Sequence, residues 1–166
     1  MRSISRFQRS ATPPGIVREW LVSEPFVTPG GPITELPAAG GWKKLETERS
    51  GLLVLLRHIA RPERGKRATV LAKLTLTSTS VARVPFHLGY SDEVTVFLNG
   101  APLFTADDSY SFDRPRREGL IGLDQATVYL PARAGENELV LAVTDVFGGW
   151  GVMGRIDSNA LAVSLR

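Results

Sequence analysis

Cysteine is absent from the chain, which excludes disulfides and thiolate metal sites. A domain of this size needs no covalent staple, so the compartment is left open. No apolar run approaches the ~20 residues that a membrane-spanning helix requires. Only two histidines are present, His58 and His87. A histidine-based metal site or a Ser-His-Asp triad would have to be built on one of them. The sequence has no Gly-x-Ser-x-Gly elbow, no His-Glu-x-x-His run and no phosphate-cradling glycine loop. Helical periodicity and internal repeats are missing as well. Residues 1–14 are basic but lack the apolar stretch of a secretory signal. They read as a flexible tail, so a full-length chain is expected in the cytoplasm, whereas an excised domain would carry no such expectation.

What is present fits one folded unit. The 166 residues, 43% hydrophobic and 22% charged, suffice for one buried core and fall short of two ordinary domains. The expected division is a tail over 1–14 and a single domain over 15–166. The 16 glycines and 11 prolines fall between apolar runs, as in a chain of short strands and turns. The net charge of +3 reflects arginines spread along the chain, densest in Arg61-Pro-Glu-Arg64-Gly-Lys66-Arg67. With no aromatic residues interleaved, that run reads as a solvated loop, and a nucleic-acid partner is not expected. A membrane partner is not expected either.

The clearest stretch is Leu88 to Phe104. Val94, Val96 and Leu98 alternate with Glu93, Thr95 and Phe97, the period of two of a β-strand. Asn99-Gly100 then suits a two-residue hairpin turn with both residues at positive φ. Similar alternation marks Ala68–Thr77 and Val81–Tyr90, the latter with Arg83 and His87 on its outer side. Shorter strands are expected over Ile16–Val22, Ala126–Leu130 (stopped by Pro131), Glu138–Asp145, Val152–Ile156 and Ala160–Leu165. The apolar run Leu52–Ile59 reads as a strand covered on both sides. Thr28–Gly41 reads as a long loop across one end of the fold, and Ala106–Leu123 as an irregular, functional loop. Eight or nine such strands predict an all-β, two-sheet antiparallel sandwich. A closed barrel would need more even strand lengths. Val70, Leu74, Phe86, Leu88, Val96, Leu98, Leu139, Leu141 and Val143 are the expected core.

From Trp42 to Leu165 the order of features resembles the galactose-binding-domain-like jelly roll. That family supplies sugar-binding and accessory domains to β-galactosidases and related glycoside hydrolases. The resemblance rests on Trp42, the arginine-ended run Leu52–His58, Phe97-Leu98-Asn99-Gly100, Val128-Tyr-Leu-Pro131 and Gly135-Glu-Asn137-Glu-Leu139. It implies a jelly-roll sandwich that binds glycans through end loops or a sheet face, and in many members a structural calcium ion. The segment Asp145-Val-Phe-Gly-Gly-Trp150-Gly151 lies outside that pattern.

Sugar rings offer apolar C–H faces to aromatic residues and hydroxyls to Asp, Asn and Arg. Three irregular segments combine these types, and Tyr90, Asp92, Tyr110, Arg114, Asp145 and Trp150 are the expected ligand-binding residues, with carbohydrate as the ligand. Asp107, Asp108 and Asp113 are the metal candidates, by oxygen ligation of calcium. No other cofactor is expected. The reading is a non-catalytic carbohydrate-binding or accessory module. One alternative is a small glycan-active hydrolase using Asp92 and Asp145 as paired carboxylates. Another is a structural domain docking on a partner protein or neighbouring domain through apolar surface near Trp20 or Trp42.

Overall fold

The computed structural model of the chain describes residues 12–110 and 120–166. Among the described residues twelve strands, all paired antiparallel, form two sheets. The expected all-β sandwich is the fold observed. The N-terminal residues 1–11 and the segment 111–119, which includes Arg114 and Asp113, lie outside the described residues.

The large sheet is built on β5 (Ala68–Ser78) and β10 (Gly135–Asp145), paired along their whole length from Gly135↔Ser78 to Asp145↔Ala68. On the far side of β10 come β7 (Glu93–Leu98) and the edge strand β8 (Ala101–Asp107). The other edge of β5 is shared by three short strands: β1 (Glu19–Val22), β2 (Phe26–Val27) and β12 (Leu161–Ser164). β3 (Lys43–Glu46) closes that side by pairing with β1. The smaller sheet runs β4 (Leu53–Val54), β11 (Gly151–Ile156), β6 (Ala82–Ser91), β9 (Ala126–Ala132).

The core lies between the sheets because alternation puts one apolar row of each strand inward. Val70, Leu74, Phe86, Leu88, Val96, Leu98, Leu139, Leu141 and Val143 are all buried there. The opposite face of the large sheet is covered too: Leu71, Phe97, Val140 and Ala142 form a second buried cluster. Phe26, Ile33, Leu36, Ala39 and Trp42 pack over it. The Thr28–Gly41 segment therefore straps the outer face of a sheet and does not cross an end of the fold. Trp42 is half-buried in this layer, with the Lys73 ammonium 4.4 Å from its ring centroid. Trp20 is fully buried in the main core. Neither tryptophan heads an open apolar patch.

Two sequence expectations are corrected. Leu52–Ile59 is not one covered strand: β4 is a two-residue edge, and Leu55–Arg57 turns as a 3₁₀ helix with His58 and Ile59 both donating to Leu55 O. The turn buries Leu55 while leaving Leu56 outside. Pro131 does not stop its strand, because β9 is a sheet edge and a residue without an N–H is tolerated there. The hairpin is as expected: Asn99 has φ 52° and Gly100 φ 82° between β7 and β8. Asn99 Nδ2 donates to Asn137 Oδ1 (3.0 Å), and Glu138 N–H donates to Asn99 Oδ1 (3.0 Å). The buried Asn137 also donates to Arg133 O (2.8 Å) and accepts from Arg133 N–H (2.9 Å). The two sequence features, Asn99-Gly100 and Gly135-x-Asn137, are thus one hydrogen-bonded clamp.

Candidate functional site

Three segments meet at one end of the sandwich, the end where β6 passes to β7. Asp92 stands in that passage and is buried. Its Oδ2 accepts from the backbone N–H groups of Val146 and Phe147, both at 2.7 Å. Its own N–H donates to Thr144 O, and its carbonyl accepts from Asp108 N–H, each at 2.9 Å. The Ser91 hydroxyl lies 3.0 Å from both Asp92 Oδ1 and Gly149 O, and donates its single hydrogen to one of them. Gln125 fastens the third side: Nε2 donates to Tyr90 O and Asp108 Oδ2 (3.1 Å each), while Oε1 accepts from Tyr90 N–H (2.9 Å) and Gly122 N–H (3.0 Å).

Asp145, the last residue of β10, is equally buried, with one carboxylate oxygen ion-paired to Arg61 Nε. Burial pushes its carboxyl above the ordinary value, Arg61 pulls it back, and the neighbouring Asp92 charge adds to the rise. Its Oδ1 is buried without a hydrogen-bond partner. Arg61 Nη2 also reaches Gly148 O at 3.3 Å. Arg67, from the same run, forms a two-pronged pair with Glu93. The Arg61–Arg67 loop, expected to be solvated, therefore has its two end arginines anchored on strand ends.

The sequence placed six ligand-binding residues in these segments. The segment containing Tyr90 and Asp92 and the segment containing Asp145 and Trp150 are joined by hydrogen bonds; of the Tyr110–Arg114 loop only Tyr110 is among the described residues, and Arg114 lies outside them. Their side chains differ sharply in exposure. Tyr90 and Trp150 belong to the core, and Trp150 Nε1 donates to Val143 O at 3.1 Å. The Trp150 ring is thus not available for stacking. The cue was the phase of β11: Val152 and Ile156 face the core, and stepping back by two from Val152 reaches Trp150. Tyr110 is 52% exposed, and Phe147, which sequence reasoning passed over, is 72% exposed. Its cue was a large apolar residue beside Gly148-Gly149, outside any alternation. Gly148 has φ 92°, and a Cβ on Gly151 would lie 2.8 Å from Leu53 O, so the turn that presents Phe147 needs glycine at both positions.

The carboxylates are poorly placed for hydrolysis. Glycosidase carboxylates must face a bound glycosidic bond, whereas Asp92 and Asp145 are each 2% exposed and turned onto backbone amides and Arg61. Among the described residues no group of three His, Cys, Asp or Glu side chains is placed to hold a metal ion. Asp107 Oδ1 accepts from Ser109 N–H (2.8 Å), Asp108 is held by Gln125, and Asp113 lies outside the described residues. His87 sits on the outer face of the small sheet, its Nδ1 3.0 Å from Thr127 Oγ1 and its Nε2 3.7 Å from Asp157.

These features define an all-β sandwich with a hydrogen-bonded polar end that carries exposed aromatic rings. No protein-family model and no curated protein matches the chain. Among solved structures, a beta-glucosidase from Kluyveromyces marxianus in complex with glucose is similar, with a TM-score of 0.50 at 12% identity. The match covers 82% of this chain and 15% of that one. Further likenesses are a family 35 carbohydrate binding module from an environmental isolate (TM-score 0.40, 16% identity, 58% of this chain, 70% of that one) and an anti-sigma factor domain-containing protein from Clostridium clariflavum (0.48, 10%, 90%, 44%). The beta-glucosidase likeness is one of fold, and this chain spans only a small part of that protein's length.

Proposed function

We propose that the chain is a non-catalytic carbohydrate-binding or accessory module of the galactose-binding-domain-like jelly-roll kind, with its glycan contact at the Asp92 end. The observation that carries this reading is Phe147: a 72% exposed aromatic ring whose own backbone N–H is tied to a buried carboxylate. An exposed aromatic ring offers an apolar face on which a sugar ring can stack, and the bonded backbone fixes the position from which it is presented. Tyr110 stands on a second segment of the same end, joined to Asp92 through Asp108. The beta-glucosidase whose fold is shared was solved with glucose bound, which is in keeping with an accessory role inside a larger glycan-active protein. Electrophoresis through gels cast with soluble polysaccharides tests the reading: the wild type is expected to be retarded and Phe147→Ala much less so. Equal mobility with and without every polysaccharide would overturn it.

A second reading is docking onto a neighbouring domain, and Leu120 favours it. This residue is 73% exposed and precedes Ile121, which packs beside Gly151 at the same end. Docking would appear as burial of Phe147 and Leu120 against a protein partner, with no polysaccharide retardation.

A further inference from the structure

The Asn99-Gly100 turn joins a reactive pair of residues to a set of bonds that restrain it. It is the only asparagine–glycine pair in the sequence, and both residues are exposed. A glycine after asparagine leaves the carboxamide open to its own backbone. The Gly100 nitrogen has no Cβ beside it, and nothing lies within 4 Å of where one would stand. In such a pair the glycine nitrogen can attack the carboxamide carbon. The bond formed is Gly100 N–Asn99 Cγ, and the bond broken is Cγ–Nδ2. The Gly100 amide proton leaves with the Asn99 nitrogen as ammonia. Water then opens the cyclic imide at either carbonyl, which leaves aspartate or isoaspartate in place of Asn99. Water is the sole co-reactant, and no oxidant is needed.

We propose that Asn99 is a deamidation site that Asn137 holds closed, an inference independent of the module reading above. Attack needs the Asn99 side chain free to rotate its carbon onto Gly100 N, and both of its polar atoms are tied to β10. Nδ2 donates to Asn137 Oδ1, and Oδ1 accepts from Glu138 N–H, each at 3.0 Å. Asn99 N–H also donates to Glu138 O at 2.9 Å, so backbone and side chain are held on one strand. The latch itself is fixed. Asn137 is buried, its Oδ1 also accepts from Arg133 N–H (2.9 Å), and its Nδ2 donates to Arg133 O (2.8 Å). The reaction undoes the latch. A carboxylate has no hydrogen to donate, so the product sets an oxygen against Asn137 Oδ1 where Asn99 offered a donor. The isoaspartyl form also lengthens the backbone of a two-residue turn. Either product loosens the β7–β8 hairpin.

Timed incubation of the full chain at neutral pH, followed by peptide mapping in a mass spectrometer, reads the conversion. The native wild type is expected to react more slowly than the urea-unfolded chain, by about tenfold or more, since two hydrogen bonds must open together. Asn137→Ala removes the acceptor and should speed the native reaction by about two- to twelvefold, the worth of one hydrogen bond. Protection of the Leu74 and Leu141 amides from exchange shows that this variant is still folded. In urea below the unfolding transition the wild-type rate should stay constant, because opening one turn exposes little surface. The reacted protein, separated by its extra negative charge, should melt at a lower temperature than the unreacted form. Equal rates in native and unfolded wild type, or a wild-type rate in folded Asn137→Ala, would overturn the latch. A native rate that climbs with urea in step with unfolding would overturn it too, and that arm decides the matter even where Asn137→Ala does not fold. An unchanged melting temperature would contradict the loosening of the hairpin. No conversion at Asn99 in the unfolded chain would overturn the site itself.

Discussion

Asp145 and Arg61 show at the scale of single residues what this end of the molecule depends on. The Asp145 carboxyl is buried beside a second one, Asp92, which with desolvation disfavours its charge, and Arg61 offsets part of that cost. Breaking a buried pair by removing one partner leaves an uncompensated charge. Arg61 is 37% exposed, so Arg61→Ala should cost less than a fully buried pair, about 1–3 kcal/mol at neutral pH. The pH dependence has a definite sign. Because the native carboxyl is raised above its unfolded value, the folded state takes up a proton first as pH falls, and this group's contribution shifts in favour of folding through that window. The cost of Arg61→Ala should therefore shrink as pH is lowered and the Asp145 carboxyl takes up its proton. Urea unfolding across a pH series measures it; a cost independent of pH would show that Asp145 is not the charge Arg61 serves. Trp150→Ala should act on stability, by about 3–5 kcal/mol as for other buried large aromatics, and a thermal melt that leaves it unchanged would contradict its core position. Sequence alternation could not reveal the Arg61–Asp145 pair, because the partners stand 84 positions apart and nothing local marks either as the other's partner.

Among the elements, the Asn99-Gly100 hairpin was legible because its turn chemistry is local: both positions require positive φ, and few residues tolerate it. Gly100→Val should lower stability by about 1–3 kcal/mol, since a β-branched residue is strained there. What the sequence could not show is that the hairpin leans on Asn137. Removing that buried amide strands its backbone partners, so Asn137→Ala should cost about 1–3 kcal/mol. Double-mutant analysis with Asn99→Ala should show the two losses to be non-additive; strict additivity would mean that the hairpin and the β10 turn are independent. At the other end, a Cβ on Gly89 would lie 2.5 Å from Gly122 O. Gly89→Ala should therefore displace the segment that carries Gln125 and loosen the Asp92 end, read as raised amide exchange at Tyr90 and Asp108 with β5 and β10 unchanged. The strap over 28–41 escaped recognition as a covering layer for a related reason: Pro, Gly and Ala carry no period, and the apolar residues it buries are spaced irregularly.

Taken as a whole molecule, the sandwich was readable because inward alternation repeats on nearly every long strand. The site was only half readable. Chemistry-bearing residues clustered in three segments, of which the fold joins the Tyr90–Asp92 and Asp145–Trp150 segments, but residue type alone cannot say which ring faces water. Trp150 faces in and Phe147 faces out within one turn, a distinction set by glycine-dependent backbone geometry. Phe147, the proposed glycan contact, is therefore the residue whose removal is most telling. Isothermal titration of cellotetraose, xylotetraose and mannotetraose into the wild type and Phe147→Ala tests that most directly. Loss of one stacking contact worth about 0.5–1.5 kcal/mol predicts weak wild-type binding that falls by roughly two- to twelvefold in the variant, at unchanged melting temperature. Equal affinity in the two proteins, or no binding heat in the wild type with any of the three sugars, would contradict it.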